Sequence, residues 1–184
     1  MNKKGDIWIS AALYTAIGII LIGLVLSVGM PFINKVKMRN TLLQTKEVMY
    51  NMDNVIREVW NEGLGSRRPI FVEIQEGDFI IYDDTTSGDN KDIIVWSVIS
   101  EDKLGIEPGA QKGQMVIHEG NLEIESIQLG QGYQIELRLD YKGSNIPLIT
   151  TAGTKQLSGA YNLVIEQTSD CGTTADRCIK IREA

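Results

Sequence analysis

The order of apolar and polar positions divides the chain into three parts. Between Asp6 and Lys35 lie 28 residues without a charge, and 20 of the 27 residues from Ile7 to Ile33 are apolar. A helix needs about 20 predominantly apolar residues to cross about 30 Å of hydrocarbon, so this stretch predicts a transmembrane helix. A cleavable secretory signal also begins with Met and Lys, but its apolar core is about 7–15 residues long and ends in a small-x-small site. Here the run is longer and leads into Ser27-Val28-Gly29-Met30-Pro31-Phe32, a poor match to such a site.

From Asn34 to Glu62 the pattern becomes amphipathic. Leu42, Met49, Met52, Ile56 and Val59 recur at spacings near three and four, and Val48 and Val55 widen the stripe. Lys35, Lys37, Arg39, Lys46, Glu47, Asp53, Arg57 and Glu58 fill the other positions. Pro31 is the one breaker, a place for a kink because a backbone donor is missing there. Gly63 and Gly65, followed by Ser66-Arg67-Arg68-Pro69, supply the stop. One helix from Ile7 to Glu62 is therefore expected, about 84 Å long at about 1.5 Å per residue, half in the membrane and half outside it.

Beyond Pro69 the period changes to two. Tyr133, Ile135, Leu137, Leu139 and Tyr141 alternate with Gln134, Glu136, Arg138, Asp140 and Lys142. Ile70, Val72 and Ile74 alternate in the same way, as do Leu122 with Ile124, Leu163 with Ile165, and Ile179 with Ile181. Glu76-Gly77, Glu119-Gly120-Asn121 and Lys142-Gly143 read as turns between strands. The run Ile93–Ile99 is apolar on both faces, as in a central strand covered by the helix or by a second sheet. The fold class is α+β: a long N-terminal helix, then seven or eight antiparallel strands in a sandwich-like or curled head.

The charge balance sharpens this division. The 184 residues carry 18 Lys and Arg against 24 Asp and Glu, a net charge of −6. An acidic chain with no basic run lacks the electrostatic footprint of nucleic-acid binding, so no nucleic-acid partner is expected. From Ile70 to Ala184 there are 9 basic and 19 acidic residues, which makes the head strongly acidic.

Catalytic chemistry finds little support. With one histidine, a multi-His zinc site is impossible and a Ser/His/Asp triad would have to use His118, beside a hairpin turn. There is no nucleophile elbow and no phosphate-binding P-loop. Gly63-Leu64-Gly65 ends a helix and Gly130-Gln131-Gly132 joins two strands, the wrong contexts for a dinucleotide loop. The chain reads as a non-enzyme with no cofactor and no metal site. The polar run Asp83–Asp92 carries four Asp but not the spacing of a calcium loop, and reads as a solvated hairpin tip.

Cys171 and Cys178 bracket six residues between the last two expected strands. They form a disulfide if the compartment is oxidising, and are otherwise two free surface thiols. The flanking charges almost tie, with Lys3, Lys4 and the α-amino group before the span and Lys35, Lys37 and Arg39 after it. The short N-terminal tail and the disulfide reading together place the N-terminus in the cytoplasm and the head outside.

Met1-Asn2-Lys3-Lys4-Gly5-Asp6 followed at once by the apolar helix resembles the class III signal peptide of archaeal type IV pilin-like proteins. The resemblance covers the N-terminal third closely and the head in architecture. It implies cleavage between Gly5 and Asp6 by a prepilin peptidase, with the helix left intact at the new N-terminus. It also implies a homo-oligomeric helical filament built through that helix by a pilus assembly machinery, with the head at the cell surface for adhesion or attachment. The chain departs from the pattern at Ser10, where many type IV pilins carry Glu. Ala12, Ala16, Gly23 and Ser27 lie on one face of the helix, as close packing between copies requires, although small residues are common in any membrane helix. The expected segments are a leader (1–5), a membrane and filament-core helix (6–33), an amphipathic stalk (34–66) and an extracellular β head (67–184). The other reading is a single-pass, non-polymerising anchored domain that binds a ligand or a surface protein.

Overall fold

The computed structural model describes residues 3–86, 88–151, 153–172 and 175–184, except for the side chains of residues 3–7 and Asp89. Among the described residues one α-helix, α1 (Lys3–Glu62), precedes eight strands. These are β1 (Arg67–Tyr82), β2 (Ile93–Ser100), β3 (Val116–Glu119), β4 (Leu122–Leu129), β5 (Gly132–Asp140), β6 (Leu148–Thr150), β7 (Lys155–Thr168) and β8 (Cys178–Glu183). The chain divides into two compact units, Met1–Arg39 and Asn40–Ala184.

In the first unit α1 runs through Pro31. Its apolar side chains, among them Trp8, Leu13, Ile20, Val28 and Phe32, are exposed. They are exposed on all sides of the helix, a distribution that water does not tolerate and that lipid or other helices do.

In the second unit the expected stripe becomes core: Leu42, Met49, Met52, Ile56 and Val59 are all buried. Thr41, Thr45 and Asp53 are buried with them. The helix stops where the sequence places the stop, with Gly63 and Gly65 at φ 104° and 87°. The Ser66 hydroxyl donates to the carbonyls of Val59 (2.8 Å) and Gly63 (2.7 Å), which satisfies acceptors that the helix end would leave open.

The strands form one mixed, curled sheet in the order β3-β4-β5-β2-β1-β7-β8-β6. Six of its pairings are antiparallel, but the expectation of wholly antiparallel strands fails at β6, which lies parallel to β8 because it enters beside β8 at the sheet edge rather than through a hairpin. Registered rows give the sheet its apolar face: Phe79 opposes Trp96, Trp96 opposes Leu137, and Leu137 opposes Ile124, all of them buried. The buried stripe of α1 covers this face. At the β3 edge Lys46 and Tyr50 of α1 reach Glu119, at 2.8 and 2.6 Å. Hydrogen bonding to Lys46, first, and to Tyr50 lowers the Glu119 carboxyl from its ordinary value, and burial together with Glu119 pushes the Tyr50 hydroxyl up to about 12.

Two further expectations change within the strands. Ile93–Ile99 reads as covered on both faces, but Ile99 is 73% exposed and Val95 is half-buried, because the helix covers only one side of the sheet. Glu76-Gly77 is not a turn between strands. It lies inside β1, where the pairing with β7 shifts register between Ile74 and Phe79. The bulge moves the buried positions from Ile70, Val72 and Ile74 to Phe79 and Ile81, from even to odd, and so keeps one apolar face across a 16-residue strand.

Gly77 makes this bulge possible. At φ 89°, a Cβ there would lie 2.6 Å from the Ser97 carbonyl oxygen and 2.8 Å from Trp96 Nε1. The same indole nitrogen donates to the Glu76 carbonyl at 2.9 Å. Gly77→Ala therefore combines a left-handed backbone with a steric overlap on a fully buried tryptophan. It is expected to destabilise the head by about 2–3 kcal/mol in urea unfolding, with loss of the buried Trp96 signal at lower denaturant.

Candidate functional site

The residues singled out by sequence fall in three places. Gly5 and Asp6 belong to α1, but their side chains lie outside the described residues. Ala12, Ala16, Gly23 and Ser27 are exposed, and at 100° per residue they fall within about 60° of one another around the helix. A Cβ added at Gly18, Gly23 or Gly29 would meet no atom within 4 Å, so none of the described residues uses these openings. Two hydroxyls in the apolar stretch bond within the helix, Thr15 to the Ala11 carbonyl (2.8 Å) and Ser27 to the Leu24 carbonyl (2.9 Å). Internal pairing of this kind is what a segment surrounded by hydrocarbon needs.

Cys171 and Cys178 are joined in a disulfide that closes the connection between β7 and β8. Both are buried, with Ile149 and Ala175 packed against them. His118 is an exposed edge-strand residue 3.9 Å from Glu123. Asp83 of the polar run accepts bonds from the Thr85 amide and hydroxyl and from the Thr86 hydroxyl, which makes it a turn-former. Among the described residues no group of three or more His, Cys, Asp or Glu is placed to hold a metal ion.

The sequence pattern misses two constellations. The first is Asp53, which the helical pattern assigns to the polar face and the structure buries. Its carboxylate accepts bonds from Arg57 Nε (3.0 and 3.1 Å), Asn121 Nδ2 (2.8 Å) and the Tyr141 hydroxyl (3.1 Å). Burial, and then Asp53, push the Tyr141 hydroxyl well above its ordinary range. The Arg57 guanidinium also lies 5.8 Å from the centre of the Tyr141 ring. One carboxylate thus ties α1 to the β3–β4 turn and to the end of β5. The visible signal was the Asp53–Arg57 spacing of four on a helix, but nothing in the sequence shows the Tyr141 and Asn121 partners.

The second is a cavity of about 570 Å³ beside the C-terminal end of α1. Trp60 stands at its wall, with the Arg177 guanidinium of the disulfide loop 4.2 Å above the ring. Lys91 pairs with Asp84 there, which raises the Lys91 ammonium. Asp92 is buried, with φ 55°. Its carboxylate accepts the Leu148 amide at 2.8 Å, and its carbonyl accepts the Tyr141 amide at 3.1 Å. Burial outweighs the Leu148 bond and raises the Asp92 carboxyl above the ordinary aspartate value.

These two acids predict opposite responses. Asp53→Ala leaves Tyr141 without its acceptor in the core and should cost about 3 kcal/mol in chemical denaturation. Asp92 behaves differently because its folded-state pKa is raised. Its contribution is fully present below the unfolded pKa and is lost as pH rises through the folded value. Asp92→Asn keeps an acceptor for Leu148 and a residue tolerant of left-handed φ. Thermal unfolding should therefore show Asp92→Asn more stable than the parent chain at pH 7 and equal to it near pH 3; equal midpoints at both would contradict the burial argument.

The chain matches no protein-family model, and no curated protein or solved structure shows significant similarity to it.

Proposed function

We propose that the chain is a structural subunit of an archaeal type IV pilus-like surface filament, which assembles through α1 and displays the β head for adhesion or attachment. The carrying observation is the segment from Trp8 to Phe32, apolar and exposed on all sides, on the helix whose later half forms the core of the head. Such a segment must be covered by lipid before assembly and by copies of itself afterwards. Both environments accept it because its charges are absent and its Thr15 and Ser27 hydroxyls are paired internally. The small-residue face of Ala12, Ala16, Gly23 and Ser27 supplies close approach between copies.

In this reading the head has a pilin-like, sandwich-type setting in which α1 takes the place of a second layer over the sheet. The prepilin peptidase cuts between Gly5 and Asp6. The N-terminus faces the cytoplasm and the disulfide-bearing head faces outward, where oxidation of Cys171 and Cys178 is favoured. The protein acts by assembly rather than catalysis. Ser10, in place of the usual Glu, favours a second reading in which the chain stays a membrane-anchored monomer, since a filament neighbour's amine then lacks its usual acidic partner.

Cleavage and assembly are measured directly in native cells. The mature protein is expected to begin at Asp6 by mass spectrometry and to be recovered from sheared cell surfaces, and Gly5→Leu should stay uncut in the membrane fraction. Retention of Met1 or Asn2 in the native protein, or sheared filaments formed equally well by Gly5→Leu, would overturn the filament reading. A cut protein that never leaves the membrane would favour the anchored monomer.

A further inference from the structure

We propose that residues 101–115, between β2 and β3, form a charge-latched strap that closes the edge of β4 against strand pairing by a second copy of this chain. Its role is confined to the head and does not depend on filament assembly. An open strand edge presents a row of unpaired N–H and C=O groups, to which another chain can add. At this end of the sheet β3 pairs with Leu122–Glu125 of β4 and reaches no further. Beyond that point the strap takes over. The Gly109 amide donates to the Ser126 carbonyl at 2.8 Å, and the Gln128 amide donates to the Gly109 carbonyl at 3.3 Å. With the strap lifted, the later half of β4, where Ile127 is half-buried and Leu129 exposed, becomes an open apolar edge.

Charge holds the strap down. Glu125 and Glu136 stand directly opposite each other on β4 and β5, on the face of the sheet that α1 leaves uncovered. Like charges in that position repel, yet both residues are buried. The Lys112 ammonium donates to both Glu136 oxygens at 2.8 Å, and the Gly113 amide donates to Glu125. Glu123 and Arg138 complete the charges around the pair, 3.7 Å from each other, and Arg138 also lies 3.3 Å from Asp140. From β3, His118 approaches Glu123 at 3.9 Å, and from β2 the residue paired with Glu136 is the uncharged Ser97.

Strap and carboxylates therefore depend on each other. While closed, the strap covers the opposed pair and sets a positive charge on Glu136. Without Lys112, Glu136 keeps its charge beside Glu125 where water is excluded, a costly state that lifting the strap relieves by hydrating both. Ile106 is buried and anchors the first part of the strap, so the part that lifts is 107–115. That part includes Gly109, so the lift uncovers β4. A lysine side chain that is 57% exposed is in this way coupled to the state of the sheet edge.

The test compares the full parent chain in detergent with Lys112→Ala, Lys112→Arg and the double variant Lys112→Ala/Gln128→Pro. Gln128 donates its amide to Gly109, away from β5, so proline there removes an edge donor and spares the pairing with β5. Hydrogen exchange at Gly109 and Gly113 is expected to be at least tenfold faster in Lys112→Ala, with the β2 amides unchanged, and Lys112→Arg should restore the parent rates. In sedimentation velocity at equal concentration, Lys112→Ala should associate beyond the parent chain, and the double variant should return to the parent distribution while its strap amides still exchange fast. Parent-like exchange in Lys112→Ala would overturn the latch, as would a general loss of β2 protection, which would make Lys112 a core contact. Fast strap exchange without added association, or association that persists in the double variant, would overturn the guarding of the edge.

Discussion

The burial of one stripe of α1 against the apolar face of the sheet is the interaction on which the head depends. Met49, Met52, Ile56 and Val59 are fully buried, and they face rows of strand residues that include Phe79, Trp96 and Leu137. A single curled sheet has no second sheet to cover it, so the helix must supply the other layer. The same helix, in its earlier part, carries a segment that none of the described residues covers. One element therefore answers to two different surroundings. The change between them is written in its side chains: uncharged on all faces from Ile7 to Asn34, then apolar on one stripe only.

The polar groups of the helix stripe fix its position on the sheet. Apolar contacts alone would tolerate a slide or a rotation, because dispersion and burial are not directional. The Asp53 carboxylate accepts from Arg57, Asn121 and Tyr141, and Glu119 accepts from Lys46 and Tyr50. The bonds to Asn121, Tyr141 and Glu119 cross from α1 to the sheet and have defined lengths and angles, so each fails if the helix moves by one residue, whereas the Arg57 bond stays within α1. On the strand side the bulge at Gly77 has the corresponding task, since it re-phases β1 so that Phe79 and Ile81 stay on the covered face.

Much of the fold was legible because period reports which side of an element is covered. The five stripe residues of α1 are buried as their spacing of three and four requires, and the helix stops at Gly63 as its glycines indicate. The alternation of Ile135, Leu137, Leu139 and Tyr141 likewise places all four in the core. Where the pattern misled, the cause was an event between elements. Glu76-Gly77 has the composition of a turn, yet the chain continues straight through it, because Trp96 on the neighbouring strand closes over the glycine. Ile99 belongs to an apolar run and is exposed, because its side of the sheet has no helix over it. The cavity at Trp60 was not legible at all, since its walls come from five separate stretches between Trp60 and Arg177.

By itself the sequence determined the order and kind of the elements: an uncharged apolar segment, an amphipathic continuation, an alternating β region and a closely spaced cysteine pair. These are local properties, fixed by hydrophobic period, by turn residues and by the spacing of thiols along the chain. Only the tertiary structure decided that the strands join in one mixed sheet with β6 parallel to β8, that Asp53 is buried and fully partnered, and that Asp92, Trp60 and Arg177 share a cavity. Each of those outcomes depends on groups distant in sequence arriving at hydrogen-bonding or van der Waals distance. Periodicity records which face a residue turns inward, but not what meets it there.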